Sequence, residues 1–176
     1  YSLNRIYLVG FMGVGKSTLG KSLAEQLAYK FVDIDDLFEH KYKLNISSFF
    51  EKYGEKLFRE LEHKVLESTF ELENTVIATG GGTPCHFDAM EKINNKGISL
   101  YLNMETEDIV ERLMNAKKPR PLVKDKSHEE MRAEVKRLYT NRECIYKNAH
   151  LIVDSLNPDV VDIAEIIRKY NKNKET

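Results

Sequence analysis

The chain has 176 residues, which suits one domain with one continuous core. Its 27 Lys and Arg residues balance 28 Asp and Glu residues, so a net charge of −1 leaves no basic excess for nucleic acid and no charged run for a membrane surface. We expect no membrane span and no signal peptide, because the apolar runs are only a few residues long. Two cysteines without metal-ligand spacing indicate reduced thiols of a cytosolic protein, and the lack of coiled-coil heptads favours a monomer.

Apolar strand-like runs alternate with helical patterns along the chain, which predicts an α/β fold with three layers around a five-stranded parallel sheet. The predicted strands are residues 6–9, 31–32, 75–78, 98–102 and 151–153. Apolar residues at helical spacing predict helices over 16–28, 36–42, 45–51 with a serine cap, about 58–66 beyond a break at Gly54, around 109–113, over 128–146 and over 160–170. Residues 116–127 lack periodicity and are expected to form a mobile lid, and residues 171–176 a frayed tail.

The strongest local signal lies between the first predicted strand and the first predicted helix. Residues 10–17 read GFMGVGKS and match the phosphate-loop pattern GxxxxGK(S/T) in the context that this motif requires. Glycines let successive backbone N–H groups converge on phosphate oxygens at the positive end of a helix dipole. Lys16 is predicted to reach the β- and γ-phosphates, and the Ser17 hydroxyl to bind Mg²⁺. A glycine-rich turn without a ligand is disfavoured, because strand, spacing, Lys and Ser are all in place.

A phosphate loop by itself leaves the reaction open, because GTPases, motor ATPases and small-molecule kinases all carry one. Five predicted strands with little added suit the compact P-loop proteins that resemble nucleoside-monophosphate kinases. The guanine-reading NKxD motif is not found, which lowers the expectation of a GTPase.

Acidic residues follow the second predicted strand, at the edge where doubly wound sheets bind ligands. Asp33 and Asp35 are two residues apart and share one face of an extended chain. One can hold magnesium water near Ser17, while the other orients a substrate hydroxyl or accepts its proton. Acids also favour a helix N-terminus. That second interpretation is preferred for Asp36, and both stay open for Asp33 and Asp35.

Arginines are scarce, with 8 Arg against 19 Lys, so their positions are informative. Arg59 lies on a predicted helix three residues before Glu62, and Arg120 lies in the predicted lid. Arg142 lies near the end of the long helix that follows the lid, before Tyr146. A guanidinium binds carboxylate or phosphate in a planar two-bond fork that Lys cannot imitate. Each arginine alone suits a solvated surface, and only their joint pattern favours a function.

At this point the sequence resembles the shikimate kinase family over nearly the whole chain. The resemblance rests on six short motifs in the family's order and with similar spacing: GFMGVGKST at 10–18, DID at 33–35, GEKLFRELE at 54–62, ATGGG at 78–82, RPL at 120–122 and RECIY at 142–146. It implies a P-loop kinase that uses Mg²⁺ to move the γ-phosphoryl group of ATP to the 3-hydroxyl of shikimate, in chorismate and aromatic amino-acid biosynthesis.

The resemblance also implies roles for individual residues. Asp35 would bind the shikimate hydroxyls and act as the base, and Arg120 would touch the transferring phosphoryl group with Lys16. The residues on the ATP and magnesium side would be Gly13, Val14, Gly15, Lys16, Ser17, Thr18, Asp33, Arg112, Arg120, Asn157 and Pro158. The residues around shikimate would be Asp35, Ile46, Phe50, Phe58, Arg59, Glu62, Gly80, Gly81, Gly82, Pro121, Leu122 and Arg142, with Arg59 and Arg142 gripping its carboxylate. Most of them fall in a substrate-binding region at about 34–70 and in the lid at about 116–127.

Three rival interpretations remain. The nearest is a kinase of the same fold for another small acid, such as gluconate, or for a nucleotide. The arginines favour an acid, and the contacts that a nucleotide acceptor needs are not evident. A regulatory module that has lost catalysis is disfavoured, because Lys16, Ser17, Asp33, Asp35 and Arg120 are all retained. A GTPase-type switch is least favoured.

Overall fold

The computed structural model describes residues 4–116 and 126–175. The lid predicted at about 116–127 therefore lies largely outside the described residues. Arg120, Pro121 and Leu122 also lie outside them, so the predictions made for these residues stay predictions.

Strands and helices alternate through the described residues, as the apolar pattern predicted. The strands are β1 (Arg5–Val9), β2 (Lys30–Asp33), β3 (Thr75–Ala78), β4 (Ile98–Asn103) and β5 (Leu151–Asp154). The helices are α1 (Lys16–Leu27), α2 (Ile34–Tyr42), α3 (Ile46–Ser68), α4 (Ala89–Lys96), α5 (Thr106–Met114), α6 (His128–Tyr146) and α7 (Val160–Glu175), with a 3₁₀ turn at Thr83–Cys85. The expected five-stranded parallel sheet is confirmed, in the order β2-β3-β1-β4-β5.

Strand β1 occupies the centre of the sheet. It pairs in parallel with β3, where Ile6 faces Val76, and with β4, where Ile6 faces Ile98. Residues 6–9 are at most 1% exposed, because helices cover both faces of a parallel sheet. From β1 the chain passes to β2 on one side of the sheet, and from β3 it crosses to β4 on the other side of β1. The carboxyl ends of β1 and β3 therefore flank the crevice where such sheets bind ligands.

Two helix starts differ from the sequence prediction. Helix α2 begins at Ile34 rather than at residue 36, because the Asp33 carboxylate caps it by accepting from the Asp35 N–H. The predicted serine cap at 45–51 is wrong: Asn45 caps α3 by accepting from the Ser48 N–H. The predicted break at Gly54 is confirmed, since this residue has φ 79° and ψ 169° inside α3.

Two further parts of the chain were missed or misread. The 3₁₀ turn and α4 were not predicted, because short elements give little periodic signal. The predicted frayed tail at 171–176 is wrong for the described residues, since α7 continues to Glu175. Apolar residues at helical spacing indicate the buried face of a helix. The polar end of α7 has no such apolar pattern, so the sequence did not indicate that the helix continues.

Among the described residues, no helix combines the length and the apolar character that crossing a membrane requires.

A pair of core and edge substitutions tests this arrangement. Leu8→Ala empties a position that is 0% exposed at the centre of the sheet, so we expect the free energy of unfolding to fall by about 2–5 kcal/mol. Ile152→Ala, at a position 54% exposed on β5, is the control and should change it by less than about 0.5 kcal/mol. Urea denaturation measures both. Equal midpoints for the two variants would contradict the central place of β1.

Candidate active site

The phosphate loop bends through glycines between β1 and α1. Gly10, Gly13 and Gly15 have φ angles of 143°, 82° and 96°, which L-residues with a side chain rarely adopt. Gly15 is also the N-cap of α1 and contributes no side-chain hydrogen bond to the helix start. The first N–H groups of α1 therefore face the loop, and a helix start of this kind favours an anion.

Lys16 is buried inside this loop, with 8% of its surface exposed. Its Nζ donates to the carbonyl oxygens of Gly10 at 2.8 Å and Phe11 at 2.7 Å. The ammonium group is thus folded back over its own loop, where phosphate oxygens would compete for its donors.

The Asp33 carboxylate joins the phosphate loop to α2. Its Oδ2 accepts a hydrogen bond from the Ser17 hydroxyl at 2.5 Å, while its Oδ1 caps α2 at the Asp35 N–H. The helix-terminus interpretation is therefore confirmed for Asp33, and its role on the magnesium side stays a prediction. Asp36 is exposed in the first turn of α2, as the helix-terminus interpretation requires. Hydroxyl and carboxylate oxygens are the donors that Mg²⁺ prefers, so Ser17 and Asp33 could hold this ion.

Arg59 and Glu62 form a buried ion pair on α3. Arg59 is 8% exposed and Glu62 is 3% exposed, and Nη1 donates to Glu62 Oε2 at 2.8 Å. The opposite edge of the guanidinium contacts the more exposed Glu55, whose Oε1 accepts from Nε at 3.3 Å and from Nη2 at 3.2 Å. The rings of Phe50 and Phe58 lie 5.9 and 5.1 Å from the guanidinium carbon. The arginine predicted to bind an acid is therefore fixed on several sides.

The glycine triplet after β3 leaves room for these charged groups. A Cβ on Gly82 would lie 2.6 Å from Arg59 Nη2, and a Cβ on Gly81 would lie 3.0 Å from the backbone nitrogen of Met12 in the phosphate loop. A Cβ on Gly80 would lie 3.0 Å from Asp35 Oδ1. Glycine is therefore required at these three positions because there is no space for a Cβ atom, and not because of a positive φ angle. The triplet brings Arg59, Asp35 and the phosphate loop to one place.

Arg142 lies on α6, the helix whose Tyr146 contacts the same triplet. It is 8% exposed, its guanidinium lies 5.8 Å from the centre of the Phe11 ring, and no carboxylate of the described residues pairs with it. The neighbouring Tyr146 hydroxyl donates to the Gly81 carbonyl at 2.5 Å. Burial raises the pKa of Tyr146 well above its ordinary value, so this hydroxyl keeps its proton and stays a donor at neutral pH.

Two residues that sequence reasoning did not select lie beside the arginines. The pKa of the half-buried His86 is lowered, mainly by burial and then by the positive charge of Arg59. The charge of Arg142 adds to this effect. Burial raises the pKa of the half-buried Cys85, and Arg142 and a hydrogen bond with Tyr146 oppose this shift. Both residues follow the glycine triplet in a stretch without a predicted element, so no pattern marked them.

Arg112 lies between the phosphate loop and the loop after β5. Its Nη2 donates to the Leu156 carbonyl at 3.3 Å, and a Cβ on Gly15 would lie 3.4 Å from its Nη1. Asn157 and Pro158 follow Leu156 directly. The structure thus places Arg112 beside the phosphate loop and beside the segment that leads into Asn157 and Pro158. Val14 is buried, and Thr18 lies exposed in the first turn of α1.

A glycine-rich phosphate loop between β1 and α1 of a parallel sheet, with carboxylates and buried arginines at the carboxyl edge, defines a P-loop kinase. The family described as shikimate kinase matches residues 12–171. This chain belongs to the shikimate kinase family.

Individual relatives agree with this assignment. The chain is 43% identical to a shikimate kinase of Azobacteroides pseudotrichonymphae over 164 residues, which cover 93% of this chain and 96% of that protein. A crystal structure of shikimate kinase from Bacteroides thetaiotaomicron has a TM-score of 0.86 at 34% identity and covers 98% of both chains. A shikimate kinase from Acinetobacter baumannii in complex with shikimate has a TM-score of 0.86 at 33% identity, covering 98% of this chain and 95% of that one.

The cysteines provide a test of the packing around the triplet. At pH 7.5, iodoacetamide should modify the exposed Cys144 at least about tenfold faster than Cys85, whose half-buried thiol has a raised pKa and is seldom ionised. Peptide mass spectrometry after timed quenching measures both rates, with urea-unfolded protein as the control. Equal rates in the folded protein would contradict the position of Cys85 beside Tyr146.

Proposed function

We propose that this chain transfers the γ-phosphoryl group of ATP to the 3-hydroxyl of shikimate and releases shikimate 3-phosphate and ADP. Its family membership supports this reaction, as does the shikimate complex of the Acinetobacter baumannii relative. The observation that carries the proposal is the burial of two arginines near the glycine triplet: the Arg59 guanidinium lies against Gly82, and Arg142 lies on the helix whose Tyr146 binds Gly81.

The two arginines suit the carboxylate of an acid substrate. A buried guanidinium needs an anionic partner, and Arg142 pairs with no carboxylate of the described residues. On Arg59, the Nε and Nη2 edge contacts a single oxygen of Glu55, whose side chain is 52% exposed. A substrate carboxylate would displace Glu55 and form the two-bond fork at this edge, while Glu62 keeps Nη1.

The phosphate loop binds ATP in this proposal. Backbone N–H groups from Gly13 to Thr18 surround the phosphates, and Lys16 moves its donors from its own loop carbonyls to the β- and γ-phosphate oxygens. Arg112 and the loop at 156–158 lie on the base side. Ser17 and Asp33 hold Mg²⁺, directly or through water. The bound ion supplies positive charge that neutralises the phosphate oxygens.

Asp35 positions the acceptor hydroxyl in the transfer step. Its carboxylate lies against Gly80, one residue from the contact between Gly81 and the phosphate loop. The hydroxyl oxygen forms a bond to the γ-phosphorus, the bond from that phosphorus to the β–γ bridging oxygen breaks, and the hydroxyl proton passes to Asp35. Arg120, which lies outside the described residues, stays the residue predicted to touch the transferring group. Phosphoryl transfer depends mainly on such positioning and charge neutralisation.

We also propose a domain organisation, an oligomeric state and a cellular location for the protein. The chain acts as one domain and as a monomer, with shikimate held by the region at about 34–70. It works in the cytosol, where the free thiols of Cys85 and Cys144 stay reduced.

Acceptor specificity is the test of the proposed reaction. ADP release from MgATP is followed in a coupled absorbance assay with shikimate, gluconate or a nucleoside monophosphate as acceptor. We expect turnover with shikimate alone. Turnover with gluconate or the nucleotide but not with shikimate would contradict the proposed substrate and keep the P-loop fold.

Two substitutions separate binding of the acid from transfer. Arg59→Ala removes the carboxylate fork and should raise KM for shikimate roughly 10²-fold, with KM for ATP within about twofold. Lys16→Met removes the charge at the transferring group and should lower kcat by at least about 10²-fold. Arg132→Ala, at an arginine that is 51% exposed on α6 and pairs with Glu107, is the matched control and should change neither. An Arg59→Ala enzyme with wild-type kinetics would contradict the carboxylate assignment.

A further inference from the structure

We propose that Thr83 is a positioning residue for the acid-binding arginine: its hydroxyl fixes the Glu62 carboxylate, which in turn fixes Arg59. The inference rests on the proposed function, because the effect is measured on the acid substrate. No step of the transfer reaction above uses this hydroxyl.

Thr83 completes a chain of three buried side chains. It is 3% exposed, and its Oγ1 donates to Glu62 Oε1 at 2.6 Å. The other oxygen of the same carboxylate, Oε2, accepts from Arg59 Nη1 at 2.8 Å. An ionised carboxylate only accepts, so the threonine must be the donor. The arginine and the hydroxyl thus hold one oxygen each.

The Glu62 carboxylate is oriented more firmly by hydrogen bonds at both oxygens than by a hydrogen bond at one of them. The last torsion of a glutamate side chain is broad, so a carboxylate held at one oxygen can still rotate about that bond. A hydroxyl bonded to the second oxygen fixes the plane of the carboxylate, and hydrogen bonds to charged groups are the stronger ones. Glu62 is 3% exposed, so solvent is poorly placed to replace the hydroxyl. The orientation of Arg59 therefore depends on Thr83 through Glu62.

The backbone places the Thr83 hydroxyl at this point. The Thr83 N–H donates to the Gly80 carbonyl at 3.2 Å, which closes the turn after β3, and the 3₁₀ turn begins at Thr83 itself. A Cβ on Gly80 would lie 2.8 Å from Thr83 Oγ1 and 2.9 Å from Glu62 Oε1. The same missing Cβ would lie 3.0 Å from Asp35 Oδ1, so Gly80 lies where the Thr83 hydroxyl and the carboxylates of Glu62 and Asp35 converge.

Two variants at this position, with a control elsewhere, test the inference. Thr83→Val keeps the shape and removes the donor, and should raise KM and Kd for shikimate roughly tenfold with KM for ATP within about twofold. Thr83→Ser keeps the donor and should stay within about twofold of the wild type. Thr75→Val removes another buried threonine hydroxyl, at the opposite end of β3, and should lower the melting temperature without raising KM for shikimate.

A double-mutant cycle tests whether Thr83 acts through Glu62. In a Glu62→Met background both acceptor oxygens are gone, so adding Thr83→Val should change KM for shikimate by less than about threefold. A full tenfold further rise in that background would overturn the inference, because the hydroxyl would then act by another route.

The remaining outcomes are distinct. A wild-type enzyme that phosphorylates shikimate, with unchanged KM in Thr83→Val, overturns the inference and leaves the proposed function standing. Equal rises in KM for both substrates indicate a structural role and also overturn it. A wild-type enzyme without shikimate turnover overturns the proposed function and the inference together. If Thr83→Val unfolds at the assay temperature, Thr83→Ala replaces it with the same expected shift for the acid alone.

Discussion

The missing side chains of Gly80, Gly81 and Gly82 are the constraint on which the rest of the site depends. A Cβ at any of these glycines would collide with or crowd a functional group: the guanidinium of Arg59, the oxygens of Glu62, or the backbone of the phosphate loop. Because no Cβ atoms occupy this space, the side of α3 that carries Arg59 and Glu62 can pack against the end of β3. A buried ion pair contributes little net stability. Loss of one partner leaves the other charge buried and uncompensated, which lowers the free energy of unfolding by roughly 3–5 kcal/mol. Stability alone therefore does not account for this pair.

The same triplet joins the two halves of the site. Tyr146 binds the Gly81 carbonyl and so ties α6, with Arg142, to the end of β3. Gly81 in turn contacts the backbone of the phosphate loop at the end of β1. The contacts of this triplet therefore connect α3, α6 and the phosphate loop at the ends of two neighbouring parallel strands. Such a scaffold suits a reaction whose rate depends on the placement of two substrates.

The sequence predicted most of the fold and the parts of the site that are local in the chain. Strands buried on both faces appear as short apolar runs, and the phosphate loop and the span 128–146 have local signatures that the structure confirms. The pairing of Arg59 with Glu62 follows from their spacing on one helix. Contacts between distant residues, such as Thr83 with Glu62 and Tyr146 with Gly81, leave no periodic signal. The serine cap was wrong because Asn and Ser cap helices about equally well, and Asn45, two positions before Ser47, directly precedes the first residue of the helix.

The central claim is that two buried arginines recognise the carboxylate of the substrate. Isothermal titration calorimetry with shikimate and with its neutral carboxamide, on the wild type and on Arg142→Met, tests it most directly. The account predicts that the wild type binds the carboxamide at least about 10²-fold more weakly, because the charged fork is lost, and that Arg142→Met reduces this ratio by at least about tenfold. Equal affinity of the wild type for both ligands would contradict the claim.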